Sequence, residues 1–401
     1  MNDLLNIIKK YGSPKAIIDY PNKNNLKKII LDFSDIVCIN ADNVFLINNE
    51  KKKGDCLKLW QEYIDIWKAD TKSDDIAAIG FFSYDFKNLI YPGKKFKKYK
   101  SRQVPYLWFA KPKNIIEIED YSYNSCNQKM ILKKDIKNII DFEKIINKIK
   151  DYLYLGDTYQ INYTQPISFD FFGDPLSLYM KIKETANPKY GVYLDVNRFQ
   201  FLSFSPEKFF IKNKTSIETY PIKGTISKSN IEKDDKIQIK KLFNSEKDRA
   251  EHLMIVDLLR NDIGKISKFG TVKVEKLFSI ETFETIHHMV SKIVGNIRDE
   301  VTEIDIIKAL FPGGSITGAP KFKSVQIIDD IEEYNRGIYT GSIGTINGNG
   351  DMDFNICIRT MTINNNRAIY PVGGGIVWDS EPQSEYSEAK NKANILEYYN
   401  E

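Results

Sequence analysis

The chain has 401 residues, with 58 lysines and arginines against 54 aspartates and glutamates, a formal charge of +4. That length suits two domains or one large body, and 42% hydrophobic with 28% charged residues excludes disordered, fibrous and collagen-like chains. The near-neutral charge speaks against a dedicated nucleic-acid binder, and the absence of any run of about 18 apolar residues speaks against a membrane span. The four cysteines (Cys38, Cys56, Cys126, Cys357) show no CxxC spacing, so no zinc or redox motif is expected and a reducing, cytoplasmic setting is the simplest reading. The N-terminus has no basic-then-apolar signal pattern.

Residues 1–135 mix apolar runs, such as 75–82, with lysine-rich stretches. Residues 94–102 interleave bases with aromatics after Pro92-Gly93 and read as a solvated loop. A charged segment at 133–138 precedes the helical spacing of Ile139, Ile140, Ile145, Ile146 and Ile149. It marks the expected boundary between a variable N-terminal region, 1–135, and a catalytic region, 136–401. Residues 199–204 and 208–211 read as strands separated by Ser205-Pro206-Glu207. A helix is predicted over 245–260, with Leu253, Ile255, Val256 and Leu259 as its apolar stripe and Gly264 as terminator. Residues 339–346, 353–363 and 367–373 read as strands joined by turns such as Asn347-Gly348-Asn349-Gly350. The last helix starts at Ser380, whose spacing to Gln383 matches a capping box, and runs to about residue 398. Consecutive strands with hairpin-like turns, flanked by helices, predict an α+β fold rather than a doubly wound α/β one.

Glu385, Glu388 and Lys392 lie on one face of that last helix, and Asp248 and Glu251 repeat the pattern on the earlier one. Together two such helices can hold one Mg²⁺, which takes one or two carboxylates and leaves its other positions to water and an anionic substrate. The same spacing serves a solvated helix face, and sequence alone does not bring the two helices together. The loop 311–321 presents backbone N–H groups and a helix N-terminus to an anion, without the spacing of a P-loop. Gly373-Gly374-Gly375 ends a strand and lets backbone approach a ligand, although both glycine clusters also fit plain tight turns. Alternation along 353–363 sets Arg359 on the face of Cys357 and Met361, and a buried arginine needs an anion. Lys223, in Pro221-Ile222-Lys223-Gly224-Thr225, is a surface cation or, moved out of water, a nucleophile.

Taken in order, these segments resemble the chorismate-utilising enzymes: anthranilate synthase large subunits, aminodeoxychorismate synthase component I, and isochorismate and salicylate synthases. The resemblance covers roughly residue 141 to the C-terminus. It is carried by Tyr159-Gln160-Ile161-Asn162, Ser205-Pro206-Glu207, Pro221 through Thr225, and Lys247-Asp248-Arg249-Ala250-Glu251-His252. It continues through His287-His288, the 311–321 loop, Cys357-Ile358-Arg359-Thr360, Gly373-Gly374-Gly375-Ile376-Val377 and the 385–392 helix. The N-terminal part resembles the family's more variable region. The resemblance implies antiparallel sheets packed as a sandwich with flanking helices. Isochorismate and salicylate synthases carry a lysine base where this chain has Gln160, which disfavours water activation at C2. Anthranilate synthases carry alanine where this chain has Lys223. The form found here is similar to that of aminodeoxychorismate synthase component I, which makes 4-amino-4-deoxychorismate for p-aminobenzoate and folate. One departure is Ile226-Ser227-Lys228, which lacks the arginine common just after this motif.

By that resemblance Lys223 is the nucleophile and Glu207 the acid. Glu251 and Glu388 hold Mg²⁺ with Asp248 and Glu385 in support. Tyr339 and Arg359 hold the pyruvyl carboxylate of chorismate, and His288 and Ser315 stand near the ring and its leaving group. Gly373, Gly374, Gly375 and Lys392 complete the carboxylate cradle. His288 also fits a satisfied core histidine. No Cys/His glutaminase pattern is present, so the resemblance implies ammonia from a separate, weakly held glutamine amidotransferase chain. No nucleic-acid or membrane partner and no fused lyase domain are expected. An anthranilate synthase large subunit, or a non-catalytic relative that binds a small anion, is the alternative reading.

Overall fold

Stretches rich in β-branched and aromatic residues, such as Ile76–Phe82, become strands in the computed structural model, which describes residues 2–20, 26–97, 104–123, 128–229, 231–282 and 286–399. Strands of four or more residues are β1 (Ala16–Asp19), β2 (Lys27–Ile39), β3 (Ile76–Phe82), β4 (Leu107–Ile118), β5 (Lys129–Lys134) and β6 (Gln160–Phe172). There follow β7 (Tyr190–Asp195), β8 (Gln200–Ser205), β9 (Lys208–Asn213), β10 (Ser216–Thr219), β11 (Ile222–Ser227) and β12 (Lys273–Thr282). The last are β13 (Ile286–Asn296), β14 (Ser342–Asn347), β15 (Met352–Asn355), β16 (Thr360–Asn364) and β17 (Arg367–Ile376).

All pair antiparallel in one array ordered β5-β6-β17-β16-β8-β7-β1-β2-β4-β3-β14-β15-β9-β10-β13, with β11 and β12 also on β13. Strands from residues 1–135 are woven into the rest: β1 pairs with β7, β3 with β14 and β5 with β6. The array folds back on itself. Phe81 of β3 meets Phe201 of β8 edge to face at 5.0 Å, although five steps of the array separate those strands. Ile18, Ile30, Ile79, Val192 and Ile343 fill the same interior, where burial of apolar surface drives the folding-back. Helices cover the outer faces, so the fold is α+β. Among the described residues no helix is long and apolar enough to cross a membrane.

Two helices bear on the site. Ser245 accepts the backbone N–H of Asp248 at 3.3 Å and starts the helix Glu246–Gly264, which ends at the glycine expected to stop it. Its buried stripe is His252, Ile255, Val256, Leu259 and Ile263, whereas Leu253 is exposed. The last helix is shorter than the sequence suggests, Pro382–Asn391, followed by a 3₁₀ segment Asn394–Tyr399. Ser380 does not cap it: its hydroxyl accepts from Val377 N and donates to Glu385 Oε1 at 2.6 Å. The strand expected over 353–363 is broken, because Arg359 takes φ +49 between β15 and β16. Of the basic stretch 94–102, residues 98–102 lie outside the described residues, as does Cys126.

Candidate active site

Strands β6, β11, β13 and β17, the Pro382–Asn391 helix and four connecting segments enclose a cavity of about 260 Å³. The pairing of β17 with β6 sets Gly373, Gly374 and Gly375 opposite Thr164, Tyr163 and Asn162, so the glycines form a floor without side chains. Lys223, Glu207, His288, Ser315, Tyr339, Arg359, Glu388 and Lys392 all line this space. Only Ser315 and Ile316 of the 311–321 loop reach it, and the helix N-terminus at Lys321 does not.

Lys223 is turned inward at a register shift in the β11–β13 pairing, where Gly224 takes φ +72. Its Nζ donates to Gln160 Oε1 at 3.2 Å and stands 3.8 Å from Glu251 Oε2. Burial lowers its pKa below that of an ordinary lysine; Glu251 opposes this, and the Lys392 cation adds to it. Gln160 Nε2 in turn donates to Asn162 Oδ1, and Asn162 Nδ2 to the Ser315 carbonyl, both at 2.8 Å. The sequence marked Gln160 only by its contrast with lysine; the structure makes it an acceptor for the Lys223 amine.

Glu207 is 8% exposed, and burial pushes its carboxyl up to about 7, against the Ser315 hydroxyl and Lys223, which pull it down. Ser315 Oγ donates to Glu207 Oε1 at 2.9 Å. His288 Nδ1 shares a 2.8 Å hydrogen bond with Thr225 Oγ1, and burial and then Arg359 depress its pKa, which keeps the ring neutral near pH 7. Arg359, in the wall, has no hydrogen bond or ion pair from its guanidinium to any described residue. Such a group stays charged and wants a planar anion.

On the opposite side, Lys392 Nζ bridges Glu388 Oε1 at 2.7 Å and the Gly373 carbonyl at 2.8 Å. Burial raises Glu388, but Lys392 and Lys223 more than offset it and leave the carboxyl below its ordinary value. Burial raises Glu251 and Glu385, and each also feels the charge of Glu388. The Glu388 charge thus acts both on Glu251 of the earlier helix and on Glu385 of its own. A Cβ at Gly374 would lie 3.4 Å from Glu385 Oε2 and 3.6 Å from both Glu388 Oε1 and Lys392 Nζ. Among the described residues no three His, Cys, Asp or Glu are close enough to hold a metal by themselves. The donor set fits a hard cation that takes few protein oxygens and shares the rest with water and substrate. Of the four predicted metal carboxylates only Glu388 lines the cavity; Glu251, Asp248 and Glu385 stand outside its wall.

A family model described as chorismate binding enzyme matches residues 127–397. The chain belongs to the chorismate binding enzyme family. Over 249 residues it is 41% identical to a protein named aminodeoxychorismate synthase component 1 from Escherichia coli K12, covering 62% of this chain and 55% of the relative. It is also 35% identical over 337 residues to anthranilate synthase component 1 from Saccharolobus solfataricus, covering 79% of each chain. The chain spans about half the length of the first curated relatives it matches. A solved anthranilate synthase component I from Streptococcus pneumoniae TIGR4 superposes with TM-score 0.80 at 27% identity, covering 93% of this chain and 92% of that one. This chorismate binding enzyme thus matches its family in sequence over the region that builds the cavity and in fold over most of the chain.

Proposed function

We propose that this chorismate binding enzyme acts as an aminodeoxychorismate synthase component I. It would replace the C4 hydroxyl of chorismate by an amino group, using ammonia from a separate glutamine amidotransferase chain, in the cytoplasm. The observation that carries this reading is Lys223: a partly buried lysine of lowered pKa in the same cavity as a carboxylic acid that titrates at about 7. That pair sets an amine of reduced basicity beside a proton donor, the two kinds of group a displacement of hydroxide requires.

In this mechanism Arg359 and Tyr339 bind the pyruvyl carboxylate, and Lys392 with the floor of Gly373, Gly374 and Gly375 receives the ring carboxylate. The neutral amine of Lys223 adds at C2, the ring double bonds shift, and the C4 hydroxyl leaves as water with the proton of Glu207. His288 and Ser315 orient that hydroxyl and the acid. Ammonia then bonds to C4, the double bonds shift back, and the C2–N bond to Lys223 breaks. Glu251 and Glu388 would hold Mg²⁺, with Asp248 and Glu385 in support. Mg²⁺ supplies charge neutralisation for the ring carboxylate and fixes its orientation.

The test is a mass-resolved product assay with chorismate, Mg²⁺ and high ammonium. It should yield 4-amino-4-deoxychorismate, convertible to p-aminobenzoate by an added lyase. The relative from Saccharolobus solfataricus, matched over 79% of each chain, favours a second reading as an anthranilate synthase large subunit. Fluorescent anthranilate would establish that reading instead. No product, even with an amidotransferase added, would leave a small-anion binder without activity.

A further inference from the structure

Arg336 is 3% exposed and stands behind the cavity wall. Its Nη1 donates to the Ile316 carbonyl at 3.0 Å and to Thr340 Oγ1 at 3.2 Å. Its Nη2 donates to the Asn162 carbonyl and to Glu332 Oε1, both at 2.7 Å, and its Nε to Glu332 Oε2 at 2.8 Å. Glu332 also accepts from the backbone N–H and hydroxyl of Thr164, at 2.9 and 2.7 Å. One planar guanidinium thus ties together the turn that carries Ser315, the β6 segment that carries Asn162, and the segment beside Tyr339. Asn162 Nδ2 closes the path by donating to the Ser315 carbonyl at 2.8 Å. Only arginine offers donors enough, in one rigid plane, to hold these three segments at once.

We propose that Arg336, anchored by Glu332, is a positioning residue that fixes the Ser315 hydroxyl against Glu207 through Ile316 and Asn162. Its importance for turnover rests on the reading of Glu207 as the acid; the mechanical link does not. The charged and titratable groups that face Glu207 are Lys223 from β11 and Tyr190 from β7, with His288, Arg359 and Tyr339 elsewhere on the cavity wall. None of these hydrogen-bonds to the Arg336 guanidinium, and Arg336→Lys keeps the charge that acts on Tyr339.

The experiment follows the carboxyl carbon of Glu207 by ¹³C NMR against pH in the substrate-free full chain, with Glu207→Gln to assign the signal. Arg336→Ala would leave Glu332 as an uncompensated buried charge, so Arg336→Lys, which keeps the charge and loses the fork, is the variant of choice. Ser315→Ala removes the donor and should raise the Glu207 midpoint. Arg336→Lys should raise it too, and the double variant should move it no further than Ser315→Ala alone. A folded Arg336→Lys with an unmoved midpoint, or shifts that add in the double variant, would overturn the proposal. Should Arg336→Lys not fold, Glu332→Gln loosens the same guanidinium and the same outcomes apply. In turnover, Arg336→Lys should lower kcat by about tenfold with little change in KM. A wild-type chain that turns over no chorismate would sink the functional reading and leave the titration to judge the link.

Discussion

Lys223 Nζ lies 3.8 Å from Glu251 Oε2, near enough to feel that carboxylate and too far to hydrogen-bond to it. The hydrogen bond it does make, at 3.2 Å, goes to the uncharged amide oxygen of Gln160. The cation is therefore incompletely compensated, and burial outweighs Glu251 in setting its basicity. Replacing Lys223 by alanine should cut formation of 4-amino-4-deoxychorismate by about 10³-fold or more, since the nucleophile itself is lost. Circular dichroism and melting temperature should stay near wild type, because the change removes a poorly compensated buried charge. Unchanged turnover would remove the covalent step.

Glu207 makes a prediction about pH. An acid must be protonated to act, so kcat/KM should fall as pH rises through the Glu207 value of about 7, and it should fall again toward acid pH as Lys223 takes up a proton. Stability follows the same sign. Its folded-state pKa is raised above the unfolded one, so its contribution is fully present below the unfolded value near 4.5 and is lost as pH rises through about 7. Glu207→Gln should abolish turnover. Relative to wild type, it should stabilise the fold by about 2–3 kcal/mol at pH 8 and not at pH 4, read by denaturant unfolding.

Arg359 has no partner to lose among the described residues, so its substitution should cost binding and not folding. Arg359→Lys keeps the charge and gives up bidentate geometry, and KM for chorismate should rise about 10- to 100-fold. A melting point that drops with KM unchanged would place Arg359 in a structural role instead.

The glycine floor separates fold from site. A Cβ at Gly373 would come within 2.2 Å of the Tyr163 carbonyl oxygen, inside the β6–β17 pairing, so Gly373→Ala should destabilise by about 1–3 kcal/mol. At Gly374 the nearest atoms are the charged ends of Glu385, Glu388 and Lys392, at 3.4 to 3.6 Å. Gly374→Ala should fold normally, and calorimetric titration with Mg²⁺ and chorismate should show weakened binding of both. Normal binding by Gly374→Ala would remove this floor from the substrate cradle.

Local chemistry made much of the chain legible in its sequence. The helix start near residue 245, its stop at Gly264, the strand from 367 and the glycines at its end are properties of neighbouring residues, and they survive folding as read. The chorismate binding motifs were legible because each is a contiguous word whose backbone shape the sequence specifies. What lies between the words was not. Periodicity carried the 353–363 strand straight through Arg359, and only packing against β8 and the cavity bends the chain there into φ +49. Arg336 sits amid polar residues and gives no local signal; its worth lies in three carbonyl and hydroxyl groups from segments 4 to 174 residues away in sequence. The shifted pKa values of Glu207 and Lys223 belong to the tertiary structure in the same way. Residue type sets which proton a side chain can carry, while the removal of water by distant strands decides at which pH it gives that proton up.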